Sequence, residues 1–455
     1  MTAAFRLVAL LLAVTVLGGC ARTIAGHATA AEEVARGPID TSFIQGSDGG
    51  EVDQLAAATL LDLRSYWRQT FEATFARPWT DVGGGFHSVD TTDLDAAAPP
   101  CVAQPGAVEG NAYYCALADA IVWDRSALFP VLAERFGDAA VVVVLAHEMG
   151  HAVHHRLGVD RELRQVYSQA YPTVVTEAMA DCYAGAFVRW VTDGNAEHLR
   201  IDREELDLAL SALVTFRDPV GTSAGAAAAH GNGFDRVSSF QDGYEQGPRR
   251  CAGFSMADRA FTQERFTSIA DQASGGDLPF DRLLGSMAPD LNTYFARIVA
   301  QRGGQWQPLR LRPVPRTPDC SGDQGPTALC PTAGVVAVNG SDELRRLHNE
   351  VGDYATGLLL ASRYGLAALD GLGRPIEGER AGRTALCLAG SYSGALLGRD
   401  RGFSLSPGDL DEAVRVLLAL DYGSRDARGR GDSTGFERVA TFRAGTVGGV
   451  AACGL

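Results

Sequence analysis

From Ala139 to Ala146 every position is apolar, and the chain then turns abruptly polar with HEMGHAVHHRLG. Four β-branched residues in a row, Val141 to Val144, favour a strand on propensity alone. The flanks favour a helix: Asp138 is a good N-cap, and Gly158 sits where a left-handed C-terminal residue belongs. Together they predict a deeply buried helix of roughly 19 residues. A second segment, TVVTEAMADCYAGAFVRWVTDG, reads likewise, with Thr173 placed to cap and Gly194 to stop it. The runs AIVWD, Ala120 to Asp124, and GVVAVNG read as short strands, so the chain is mainly α, of the α+β class.

On a helix, His147 and His151 lie four apart on one face with Glu148 between them. The His-Glu-x-x-His spacing supplies two metal ligands and a base that can act on a metal-held water. An open catalytic zinc site needs a third protein ligand. Glu177 and Asp181, four apart on the second helix, provide one carboxylate for the metal and one to hold a ligand histidine. An apolar helix that carries two histidines and an acid into a core costs several kcal/mol unless something satisfies them, and a metal does. His154 and His155 are expected to be solvated.

These residues resemble the bacterial neutral zinc metallopeptidases, a gluzincin-like group with His-Glu-x-x-His on one helix and Glu-x-x-x-Asp-Cys on the next. The likeness runs through CVAQPGAVEGNAYYCALADAIVWD, LAHEMGHAVHH, TEAMADCYAG and HGNGFDRVSSFQDGYEQGPRRC. It implies a zincin-like fold with His147, His151 and Glu177 as zinc ligands and Glu148 as general base. In zincins a short strand at the rim pairs with an extended peptide, and AIVWD is expected in that place by analogy.

The N-terminus, MTAAFRLVALLLAVTVLGGC, has one positive charge and an apolar run ending in Leu17-Gly18-Gly19-Cys20. It reads as a lipoprotein signal peptide, residues 1–19, with Cys20 lipidated and the protein held at the extracytoplasmic face of the cell membrane. A small, polar tether over residues 20–51 would follow. Eight further cysteines are an even number in an exported protein and read as disulfides.

An internal repeat narrows their pairing. LASRYGLAALDGLG, from Leu360, aligns without gaps under LAHEMGHAVHHRLG, from Leu145, and GFERVATFRAGTVGGVAAC, from Gly435, under GFDRVSSFQDGYEQGPRRC, from Gly233. Cysteines match in both copies, so one shared pattern gives Cys101 with Cys115, Cys182 with Cys251, Cys320 with Cys330 and Cys387 with Cys453. The second copy has Ser362, Arg363 and Leu366 at the motif positions, and Gly382 and Leu386 in place of Glu177 and Asp181. It keeps scaffold and drops chemistry. By the same comparison His230 pairs with Asp432, whereas Arg236 pairs with a retained Arg438. His230 is therefore a candidate donor to the developing oxyanion, and Arg236 follows the scaffold.

The expected organisation is a zinc peptidase domain over 52–256 and a degenerate peptidase-like domain over 257–455 that lacks the metal ligands. The net charge is -15, and every basic residue other than histidine is arginine. That excludes lysine-based chemistry and disfavours nucleic acid as a partner. The expected function is zinc-dependent hydrolysis of a peptide or protein substrate, the degenerate half being free to engage a protein partner. The rival is a lipoprotein scaffold whose first half keeps metal only for stability. Structural zinc normally takes four protein ligands, and three are visible.

Overall fold

The computed structural model describes residues 39–455 except 160–162, 228, 267, 319, 321, 341–342 and 400. The expected signal peptide, Cys20 and the tether as far as residue 38 lie outside the described residues. The rest of the expected tether belongs to the folded body. Ile44–Gln45 (β1) pairs in parallel with Gly85–Val89 (β2), and Ile44 is buried. The Asp53 carboxylate takes the Asp48 N–H at 2.8 Å and the Ser88 hydroxyl at 2.6 Å. A small, polar composition concealed one apolar anchor, Ile44.

Helix α1, Glu51–Phe75, leads into a four-stranded sheet of order β1-β2-β4-β3, in which Ala112–Cys115 (β3) runs antiparallel to Ala120–Asp124 (β4). AIVWD is thus β4, an interior strand rather than the rim strand. All five of its residues are buried, which suits a strand with a neighbour on each side. The edge is β3, half-buried over Ala112 to Tyr114.

Helix α2, Leu128–Phe136, joins α3, Asp138–Arg156, through Gly137 alone, at φ 74°. Asp138 is consequently the first helical residue and not the N-cap, because a one-residue junction leaves no preceding extended residue from which it could cap. Its charge still lies in the first turn, where the helix dipole favours it. Helix α4, Thr173–Thr192, begins after Pro172, and the Thr173 hydroxyl donates instead to the Ala227 carbonyl at 2.8 Å. Gly158 and Gly194 both take the left-handed conformation just past their helices.

Helix α4 packs on α3 and on α6, Gly233–Gln246, with α5, Arg203–Thr215, alongside. The α3–α4 crossing depends on Gly150: a Cβ there would lie 2.8 Å from the Ala180 Cα and carbonyl oxygen. The second half runs α7, Phe280–Gln301, then Arg310–Val314 (β5), Thr327–Cys330 (β6) and Val335–Asn339 (β7) in the order β5-β7-β6. Helices α8, Asp353–Gly371, α9, Glu379–Leu396, α10, Asp409–Ala419, and α11, Gly435–Gly448, follow. Here Gly365 meets Ala385 as Gly150 meets Ala180, with a Cβ placed 2.5 Å from the carbonyl. The bridges Cys101–Cys115, Cys182–Cys251, Cys320–Cys330 and Cys387–Cys453 form, the two long-range ones with Cα atoms 5.5 Å apart.

The two halves exchange helix caps. Asp411 of α10 accepts the Phe234 N–H at the start of α6, at 2.8 Å, and Asp207 of α5 accepts the Gly435 and Phe436 N–H groups at the start of α11, at 2.5 and 2.7 Å. Residues 40–455 form one compact unit. The division expected at 256/257 falls inside the first half's packing, since Arg259 pairs with Asp242 at 2.5 Å and the Thr262 N–H donates to Asp235 at 2.8 Å. No described helix is long and apolar enough to cross a membrane.

Candidate metal centre

The apolar first half of α3 buries it, and the motif residues follow it inward: His147 and Glu148 are each 7% exposed, as is Glu177 on α4. The His147 and His151 Nε2 atoms are 3.1 Å apart, and they lie 3.3 and 3.5 Å from the Glu177 Oε2. A tetrahedral cation with bonds of about 2.0–2.1 Å needs its ligand atoms about 3.3–3.4 Å apart. Glu177 Oε2 is buried with no hydrogen-bond partner, an acceptor waiting for a cation rather than a donor. Two imidazole nitrogens and one carboxylate oxygen are the donor chemistry of a catalytic zinc site, so these residues fit the ion.

The outer nitrogens are held. His147 Nδ1 is 2.8 Å from Asp181 Oδ1, and Asp181, wholly buried, accepts a two-pronged bond from Arg236 Nε and Nη2, each at 2.9 Å. His151 Nδ1 is 2.8 Å from His154 Nε2. Burial works against charge on His147, but Asp181 and Glu177 override it and raise its pKa to about 10. Burial would also raise Glu177, yet His151 and His147 hold it well below the ordinary carboxylate range. Glu148 is pushed up, chiefly by burial, while the Tyr114 backbone N–H donates to it. The cluster demands positive charge at the point where the three ligand atoms converge.

The family model described as "Putative neutral zinc metallopeptidase" matches residues 3–254. The chain belongs to this family. Among curated relatives, the uncharacterized protein Rv2575 of Mycobacterium tuberculosis is 30% identical over 172 residues, covering 34% of this chain and 58% of that protein. The uncharacterized protein YpfJ of Escherichia coli is 27% identical over 161 residues, covering 32% and 54%. The chain thus spans somewhat more than half the length of these relatives. No solved structure matches it.

In this family member the ligand cradle opens onto a cleft of about 630 Å³ lined by Tyr113 and Tyr114 of β3, Val143 of α3, Leu213, Phe216 and His230. His230 is half-exposed, and its Nδ1 lies 3.3 Å from Asp218. Two residues were misjudged from sequence. His154 is 3% exposed and not solvated, because its place three residues after His151 on the same helix face brings it under that ligand; the repeat gave a signal, pairing it with Leu369. His155, half-buried, lies edge-on to Tyr114 with ring centroids 5.9 Å apart. Arg236 does serve the scaffold, donating to the Phe216 carbonyl at 2.8 Å as Arg438 donates to Leu417 at 2.6 Å. It also neutralises Asp181, and retention in the second copy hid that.

In the second half the corresponding space is filled. Arg363, where the first half has Glu148, is fully buried and donates to Gln324 and to the Tyr422 and Arg425 carbonyls at 2.9–3.0 Å. Burial and then Arg425 lower its pKa to about 9. At Gly382, in place of Glu177, a Cβ would meet the Ser424 carbonyl at 1.9 Å.

Proposed function

We propose that this chain is an extracytoplasmic zinc peptidase, anchored through lipid on Cys20 after removal of residues 1–19, whose second half is a diverged copy that has lost the metal site. Support for the enzyme reading comes above all from the cradle: three ligand atoms at tetrahedral spacing beside a buried Glu148 that is not one of them. Zinc held by His147, His151 and Glu177 would supply a Lewis acid for the scissile carbonyl and would acidify a water. Glu148 would take that water's proton and deliver it to the leaving amine. Asp181 fixes the His147 ring so that Nε2 faces inward, and His154 does the same for His151. Edge strand β3 offers backbone groups to an extended peptide, and Val143, Leu213 and Phe216 offer it an apolar wall. His230, which lines the cleft, would donate to the oxyanion.

For the duplication, the support is the ungapped alignment, the matched sheet order, the paired glycine crossings and the reciprocal capping by Asp207 and Asp411, the arrangement of a two-fold interface. The activity is tested by exposing a mixed peptide library to zinc-loaded protein and to Glu148→Gln at equal zinc content. Cleavage by the first and a loss of at least ~100-fold in the second is expected from the role of a general base. Equal cleavage by both, or none by either, would overturn the reading.

A further inference from the structure

A second group of acids lies far along the chain from the zinc motif. Asp277, Asp353 and Glu412 each place a carboxylate oxygen so that all three lie within 4.8 Å of one another. Asp409, 4% exposed, joins them electrostatically. They come from three segments: the turn before α7, the first residue of α8, and the first turn of α10. Each is fixed by a backbone donor. Leu278 N–H donates to Asp353 Oδ2 at 2.7 Å, Asp353 N–H to Asp277 at 3.4 Å, Tyr354 N–H to Glu412 at 2.7 Å, and Ser406 N–H to Asp409 Oδ2 at 2.9 Å.

What these bonds leave over is the second observation. Asp353 is 3% exposed and its Oδ1 is buried with no hydrogen-bond partner, and Asp409 Oδ1 is in the same state. Among the described residues no guanidinium pairs with any of the four acids. Arg217 pairs with Asp411 at 3.0 Å, and Arg415 donates to the Val351 carbonyl at 3.1 Å. His348, beside Asp277, is pushed toward its neutral form by burial. The N-termini of α8 and α10 contribute roughly half a positive charge each, less than the charge these acids would carry when ionised. Gly352 packs so close to Glu412 that a Cβ would lie 1.9 Å from its carboxyl carbon, holding that group against the backbone. The cluster has no counterpart in the first half, where Asp138, equivalent to Asp353 at the head of its helix, is exposed.

We infer that Asp277, Asp353 and Glu412 bind a hard divalent cation of the calcium type, which ties the turn before α7 to the heads of α8 and α10. An all-oxygen carboxylate set suits Ca²⁺, which takes 6–8 oxygens at adjustable geometry, better than zinc, which prefers nitrogen and sulfur. Burial, together with repulsion from the neighbouring acids, raises the carboxyl pKa values of Asp353 and Glu412, and a cation bound there would lower them.

The test uses the full chain, stripped by chelator and reloaded with one zinc. Calorimetric titration with CaCl₂, and separately with MgCl₂, is run on the native chain and on the Asp353→Asn/Glu412→Gln double variant. Expected is saturable binding of one Ca²⁺ per native chain with Kd on the order of 10⁻⁴ M or tighter. At ten times Kd the Tm should rise by about 2 °C. The double variant, relieved of repulsion and so expected to fold, should bind at least ~10-fold more weakly, and its Tm should not respond to the ion. Saturable Mg²⁺ binding lost in the variant supports the site equally. No saturable binding of either ion to the native chain, or binding that the variant keeps, overturns it. If the variant does not fold, equilibrium dialysis of the native chain against ⁴⁵Ca decides by stoichiometry.

Discussion

Gly150, the second variable residue of the motif, should control zinc affinity without touching the ion. Its missing side chain lets α3 and α4 approach, and a Cβ at 2.8 Å from Ala180 falls short of ordinary contact at 3.4 Å by about 0.6 Å. Because the contact is with helix backbone, Gly150→Ala must move α4, and with it Glu177, relative to the two histidines. Metal-ligand distances tolerate only about 0.2 Å. Overpacking costs about 1–3 kcal/mol, partly offset by the roughly 1 kcal/mol that alanine gains over glycine in a helix. The expected stability change is therefore modest, a loss of about 0–2 kcal/mol. Zinc affinity should fall at least ~10-fold, as when supporting groups of a metal site are disturbed. Competition against a chromophoric chelator measures the affinity, and urea unfolding of the metal-free protein measures the stability. Gly365→Ala is the internal control: the same crossing in the second half, with a comparable stability change and unchanged zinc affinity. If Gly150→Ala binds zinc within twofold of the parent, the idea that the helix crossing sets the ligand geometry is wrong.

Arg236→Leu leaves the Asp181 carboxylate buried with His147 alone and should cost about 3–5 kcal/mol, with zinc binding ~10–100-fold weaker. Arg438→Leu should lower stability and leave zinc affinity alone; calorimetry on both variants would show whether the two arginines differ as stated. Burial pushes the Asp235 carboxyl up to about 6, against Arg259 and the Thr262 donors. The folded state thus holds that proton more tightly than the unfolded one, so this stabilisation is complete below about pH 4 and disappears as pH rises through about 6. In urea unfolding, the stability of the parent relative to Asp235→Asn should fall by on the order of 2–3 kcal/mol between pH 4 and 6.5, and a flat difference would contradict the burial argument. Cys387→Ser/Cys453→Ser opens a bridge across a sequence separation of 66 residues and should cost about 2–5 kcal/mol, with one zinc still bound per chain.

The site was legible because its chemistry is local in sequence: His147, Glu148 and His151 share one helix turn, and Glu177 and Asp181 another. The repeat made the disulfides legible too, since two copies of one cysteine pattern leave few pairings. Strand placement was not, because AIVWD shows that it is buried on both faces, whereas its position relative to the edge depends on β3 and β2, paired by tertiary contacts. The caps were misplaced for a related reason: Gly137 serves two helices at once, which no local window reveals. The second role of Arg236, on Asp181, and the burial of His154 were missed because each residue has two jobs or two neighbours, and spacing reports only one. The acids at 277, 353 and 412 are scattered over more than a hundred residues, and only the fold brings them together.

Metal content of the protein lacking residues 1–20, measured by elemental mass spectrometry beside His147→Ala and Glu177→Ala, tests the zinc centre most directly. The geometry requires one zinc per chain in the parent and none in either variant. A folded, fully oxidised parent that holds no zinc, or a Glu177→Ala variant that retains it, would contradict the three-ligand centre and with it the peptidase reading.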